Sequence, residues 1–80
     1  MLTIKKNGKL VNVNNGGGKA FQDRMIANGW RIQLAKDYSE SAQALYDRLE
    51  ATGLYSDIKV YWSSTRIRGL HDYFAFVKRK

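Results

Sequence analysis

The chain has 80 residues, 44% of them hydrophobic, with no cysteine and a single histidine. That length bounds it to one domain with a modest core, and the lack of cysteine excludes disulfides and thiolate metal sites. The formal net charge of +7 favours polyanionic partners and binding that weakens in salt.

Leu2 to Lys6 and Lys9 to Val13 alternate around Asn7-Gly8, which predicts a hairpin with a type I′ turn, since both central residues need positive φ. Asn14 to Gly18 contains three glycines and reads as a flexible joint between the hairpin (1–13) and a compact α+β core (19–80). Gly16-Gly17-Gly18-Lys19 stands before a helix, as in a phosphate cradle, but Ala20 replaces the serine or threonine that a P-loop needs for its metal.

Lys19 to Asn28 is a short helix candidate with Phe21 and Met25 on one stripe and Gly29 at its C′ position. Trp30 to Ala35 alternates as a strand. The strongest helix runs from Tyr38 to Thr52, with Asp37 and Glu40 spaced as a capping box and Gly53 just past its end. Its apolar face is Tyr38, Ala42, Leu45 and Leu49. Asp57 to Ser63 and Tyr73 to Lys78 read as a final pair of strands, joined by a loop, Ser64 to Asp72, that holds Arg66 and Arg68.

The predicted fold class is therefore α+β: a small antiparallel or mixed sheet, in β-β-α-β-α-β-β order, with one main amphipathic helix packed on one face. Alternation directs Trp30, Ile32, Leu34, Ile58, Val60, Trp62, Phe74 and Phe76 toward that helix. It directs Arg31, Gln33, Lys59, Tyr61, Tyr73 and Val77 to the other face. This outer face is open unless the hairpin or the short helix covers it.

Charge is segregated along the chain. Residues 1–36 carry seven cations and one acid, for +6. Residues 37–57 carry one cation and five acids, for −4. Residues 58–80 carry six cations and one acid, for +5. A basic side and an acidic side are expected. On the basic side, Arg31, Lys59, Tyr61, Arg66, Arg68, Tyr73, Lys78, Arg79 and Lys80 form the expected nucleic-acid-binding set. Arginines and lysines would meet phosphate, and Tyr61 and Tyr73 would stack unpaired bases at about 1–3 kcal/mol each.

No enzyme is expected. His71-Asp72 is the one histidine–carboxylate neighbour pair, but neighbours on a strand point to opposite faces, and Ser63 and Ser64 lack a nucleophile elbow. Glu40, Asp47 and Glu50 read as a solvated helix face, pairing locally with Arg48 or Lys36. No metal or cofactor is expected. No apolar run approaches a membrane span and no apolar signal-peptide core follows the first lysines, so a cytoplasmic protein, monomeric or homodimeric, is the expectation.

From Trp30 onward the chain partly resembles the SPOR peptidoglycan-binding domains: a strand, Trp30-Arg31-Ile32-Gln33-Leu34, then a helix with Ala42, Leu45 and Leu49 before Gly53, then a strand. That resemblance implies a cell-wall glycan ligand. It ends at Arg66-Ile67-Arg68-Gly69, which Leu70, His71 and Asp72 follow in place of the family's glycine-proline-phenylalanine corner. In size and lack of cysteine the chain also resembles small accessory proteins of tailed phages, which implies a host protein as partner. The expectations rank nucleic acid first, then a partner protein bound by an inhibitor or adaptor.

Overall fold

The computed structural model describes residues 2–37, 39–63 and 73–80. Two strands, β1 (Thr3–Lys6) and β2 (Lys9–Asn12), form the N-terminal hairpin, with β3 (Asn14–Asn15) following at once. Then come α1 (Lys19–Ala27), β4 (Arg31–Leu34), α2 (Ala42–Ala51), β5 (Tyr55–Trp62) and β6 (Tyr73–Arg79). The fold is α+β with mixed sheets, and the main helix, α2, packs on the larger one.

The hairpin turns where the sequence predicts, with Asn7 at φ 54° and Gly8 at φ 79°, the left-handed pair of a type I′ turn. The larger sheet has the order β3-β5-β6-β4. β3 runs parallel to β5, with Asn14 opposite Tyr61. β6 is antiparallel to both of its neighbours. Residues 14–18, expected as a flexible joint, thus include a strand. Gly16 N–H donates to the Trp62 carbonyl at 2.7 Å, and a Cβ on Gly16 would lie 2.4 Å from the Phe74 ring. Glycine is required here by close approach.

The assignment of faces differs from the alternation reading. Ile58, Val60, Ala75 and Val77 meet Ala42, Leu45, Tyr46 and Leu49 of α2, with Ile4 and Val13 from the N-terminal segment. Phe74, Phe76, Trp30 and Ile32 lie on the opposite face with Phe21 and Met25 of α1. Phe74 and Phe76 therefore do not join Ile58 and Val60, and Val77 does not point outward but is fully buried under α2. Leu34 and Trp62, expected inward, are 40% and 36% exposed. The cause is β6 itself. It lies between two strands under a helix on each side, so Tyr73 to Val77 is apolar at both parities, and period-two alternation cannot assign its faces.

The start of the main helix also differs. Ser41 is the N-cap and its hydroxyl accepts from Ala44 N–H at 3.1 Å. Asp37 instead closes a local turn, its carboxylate accepting from Ser39 N–H at 2.9 Å. Glu40 turns to Arg48 and to Lys36 N–H. The acidic pair serves the loop before the helix, and serine caps the helix. Tyr38 lies outside the described residues.

Candidate nucleic-acid interface

Five of the nine expected ligand-binding residues gather at one end of the larger sheet. Arg31 opens β4 and sits opposite Val77. Lys78 and Arg79 end β6, opposite Asp57 and Tyr55, and Lys80 follows, its N–H donating to the Leu54 carbonyl at 3.1 Å. Lys59 stands opposite Phe76, one strand over. Because 59 on β5 and 78 on β6 share the α1 face, both ammonium groups come over Trp30, at 5.1 Å and 4.8 Å from its ring. The indole's negative π-face attracts them. Among the described residues neither lysine forms an ion pair, although Asp57, opposite Lys78, feels the charge of Lys59.

Arg31 and Arg79 are exposed and belong to the other face by strand parity. The cations therefore wrap the sheet end instead of paving one side. Nearby, Asp57 is engaged by Lys6, whose ammonium lies 2.9 Å from the carboxylate. Burial, the largest single influence on Asp57, opposes its charged form. The hydrogen bond and charge of Lys6, with the Ile58 N–H, outweigh it and hold the carboxyl below its ordinary range.

The two tyrosines are not brought together. Tyr61 lies beneath α1, 5.7 Å from Phe21 edge-on and stacked 5.8 Å from Phe74. Burial first, then the charge of Asp57, pushes its phenol above the ordinary value. Tyr73 packs against the α2-side core at the opposite end of the sheet, beside Trp62 and Leu2. The face expected to be open does not form: Lys59 and Tyr61 lie on the α1 side with Phe74 and Phe76, and Arg31, Tyr73 and Val77 on the α2 side. Arg66 and Arg68 lie outside the described residues, as does His71.

Trp30 was read from sequence as core alone, and the structure adds its role as the seat of two lysines. Its signal was visible only as a tryptophan next to an arginine in an otherwise ordinary strand. Among the described residues no group of three or more histidine, cysteine, aspartate or glutamate side chains comes together, and no helix is long and apolar enough to cross a membrane. Comparisons with protein-family models, curated proteins and solved structures find no match to this chain.

Proposed function

We propose that this is a small basic binding protein whose ligand is nucleic acid, held at the phosphate backbone by Arg31, Lys59, Lys78, Arg79 and Lys80. The observation that supports the reading is the pair of ammonium groups over Trp30, neither of which forms an ion pair among the described residues. A phosphate arriving there finds two cations gathered over one indole, and exchanges condensed counterions for them. Tyr61, half-buried under α1, and Tyr73 lie on opposite faces, so the proposed recognition rests on charge and position with little base readout.

The test is fluorescence anisotropy with labelled single-stranded and duplex DNA and RNA at low and near-physiological salt. Lys59→Ala with Lys78→Ala is expected to weaken binding to every sequence and to reduce the salt slope by about two. A double variant that binds as tightly as the parent overturns the site. No binding to any of these ligands at low salt, or binding whose strength does not change with salt, overturns the function. Arg66→Ala with Arg68→Ala measures what these two arginines add.

A further inference from the structure

The edges of the two sheets are treated unequally. On β1, the Gln43 side chain accepts from Lys5 N–H at 2.7 Å and donates to the Lys5 carbonyl at 3.1 Å, standing in for a further strand. On β5, Lys6 donates to the Ile58 carbonyl at 2.6 Å while the Asp57 carboxylate accepts from Ile58 N–H at 2.8 Å. On β4, Arg48 donates to the Leu34 carbonyl at 3.2 Å. Side chains thus occupy outward backbone groups on three strands, as exposed edges require if they are not to recruit another chain.

β2 has no such guard. Its two-residue turn makes Lys6 and Lys9 a hydrogen-bonded pair, and the bond from Val13 N–H to the Leu2 carbonyl puts that pair in the same class. Between them, Leu10 and Asn12 must turn their N–H and C=O groups away from β1. Lys5, the partner of Leu10, faces outward on its own side, which is where Gln43 meets it. Among the described residues no hydrogen bond from another element reaches Leu10 or Asn12. All four β2 residues are exposed, Leu10 at 71%.

β2 and β5 diverge below the point where β3 pairs with β5, and a cavity of about 260 Å³ opens between them. Val11, Asn12 and Lys6 line the hairpin side, and Lys59 and Tyr61 the other. An added strand would hang alternate side chains over this cavity. The surroundings are basic. Residues 1–22 contain no carboxylate, Lys6 is neutralised by Asp57, and Lys5, Lys9 and Lys59 have no ion-pair partner among the described residues.

We propose that the β2 edge is a docking site for an extended acidic segment of a partner protein, which joins the hairpin as a third strand. The alternating donors and acceptors of Leu10 and Asn12 suit a peptide backbone, and nucleic acid offers no matching row. A second copy of this chain would bring its own three hairpin lysines and its own charge of +7.

The probe is a capped, fluorescein-labelled peptide of sequence Thr-Glu-Val-Glu-Val-Glu-Thr, compared with its lysine counterpart. The glutamate peptide is expected to bind the full chain at least about tenfold more tightly, and to slow amide exchange at Leu10 and Asn12. Leu10→Pro removes one outward N–H and should weaken binding about tenfold. Lys5→Glu with Lys9→Glu leaves the backbone untouched and should reverse the preference between the two peptides. Several results overturn the proposal: no binding, no preference reversal, or bound peptide without protection at Leu10 and Asn12. So do a dimer that already protects both amides, and displacement of the peptide by a single-stranded oligonucleotide that protects them.

Discussion

Lys6 joins the hairpin to the sheet through two bonds at once, its ammonium lying 2.9 Å from the Asp57 carboxylate and 2.6 Å from the Ile58 carbonyl. One side chain thereby ties the β1-β2 sheet to β5 and closes part of the β5 edge. Lys6→Met should cost about 1 kcal/mol, because the 40% exposure of the Asp57 side chain leaves the pair partly screened. A double-mutant cycle with Asp57→Asn, read by urea unfolding, should give a positive coupling energy. Additive losses would show that the two residues act separately.

Gly16→Ala should destabilise the protein by about 1–3 kcal/mol. The new methyl would meet the Phe74 ring, which is fully buried and held among Tyr61 and Phe76. Gly18→Ala, where a Cβ meets nothing within 4 Å, is the control, and its φ of −93° is open to any residue. Thermal melts of the two variants should separate clearly. Equal melting temperatures would mean that β3 is not seated on Phe74.

The helix boundary has its own test. Ser41→Ala removes the hydroxyl that caps Ala44 N–H and should cost about 1 kcal/mol. Asp37→Ala loses only a loop hydrogen bond to Ser39 and should cost less. The reverse order in denaturant midpoints would restore Asp37 as the cap.

Glu40 and Asp57 predict how stability responds to acid. The Arg48 hydrogen bond is the chief influence on Glu40 and holds its carboxyl below the ordinary value of 4.5. Asp57 lies below its ordinary value of 3.8 through Lys6 and Ile58 N–H acting against burial. Both folded values are depressed, so their stabilisation is fully present above the unfolded values and is lost as pH falls through the folded ones. The melting temperature should decline below about pH 4.5, and Glu40→Gln should flatten part of that decline. An unchanged profile in the variant would remove the Glu40–Arg48 contact from the acid response.

What the sequence makes legible follows from local chemistry. Asn7-Gly8 specifies its turn because few residues accept positive φ twice in succession, and Gly29 and Gly53, at φ 92° and 69°, mark helix ends for the same reason. Tertiary contacts decide the rest. Asp37 and Glu40 have capping-box spacing, but Arg48, eight residues on from Glu40, draws its carboxylate away. Phe74 and Phe76 alternate as a single face should, yet Ala75 and Val77 are equally apolar and face the other helix. Of the candidate interface, the clustering of its cations at one sheet end is legible from their positions, whereas the separation of Tyr61 from Tyr73 depends on the register that pairs Tyr61 with Phe74 and Tyr73 with Trp62.

The place of β6 has a consequence for biosynthesis. It follows every other described strand in sequence, yet it is the strand that both β5 and β4 pair with. A ribosome that has made everything up to Asp72 has not yet supplied Phe74 and Phe76 of the aromatic core or Ala75 and Val77 of the aliphatic one. The N-terminal hairpin can form within about 1–10 μs of emerging, and α2 can meet Ile58 and Val60 of β5, but neither core is complete until Tyr73 to Arg79 leaves the exit tunnel. Folding is thus tied to completion of this strand, and a nascent chain stalled before it would present its apolar faces to chaperones.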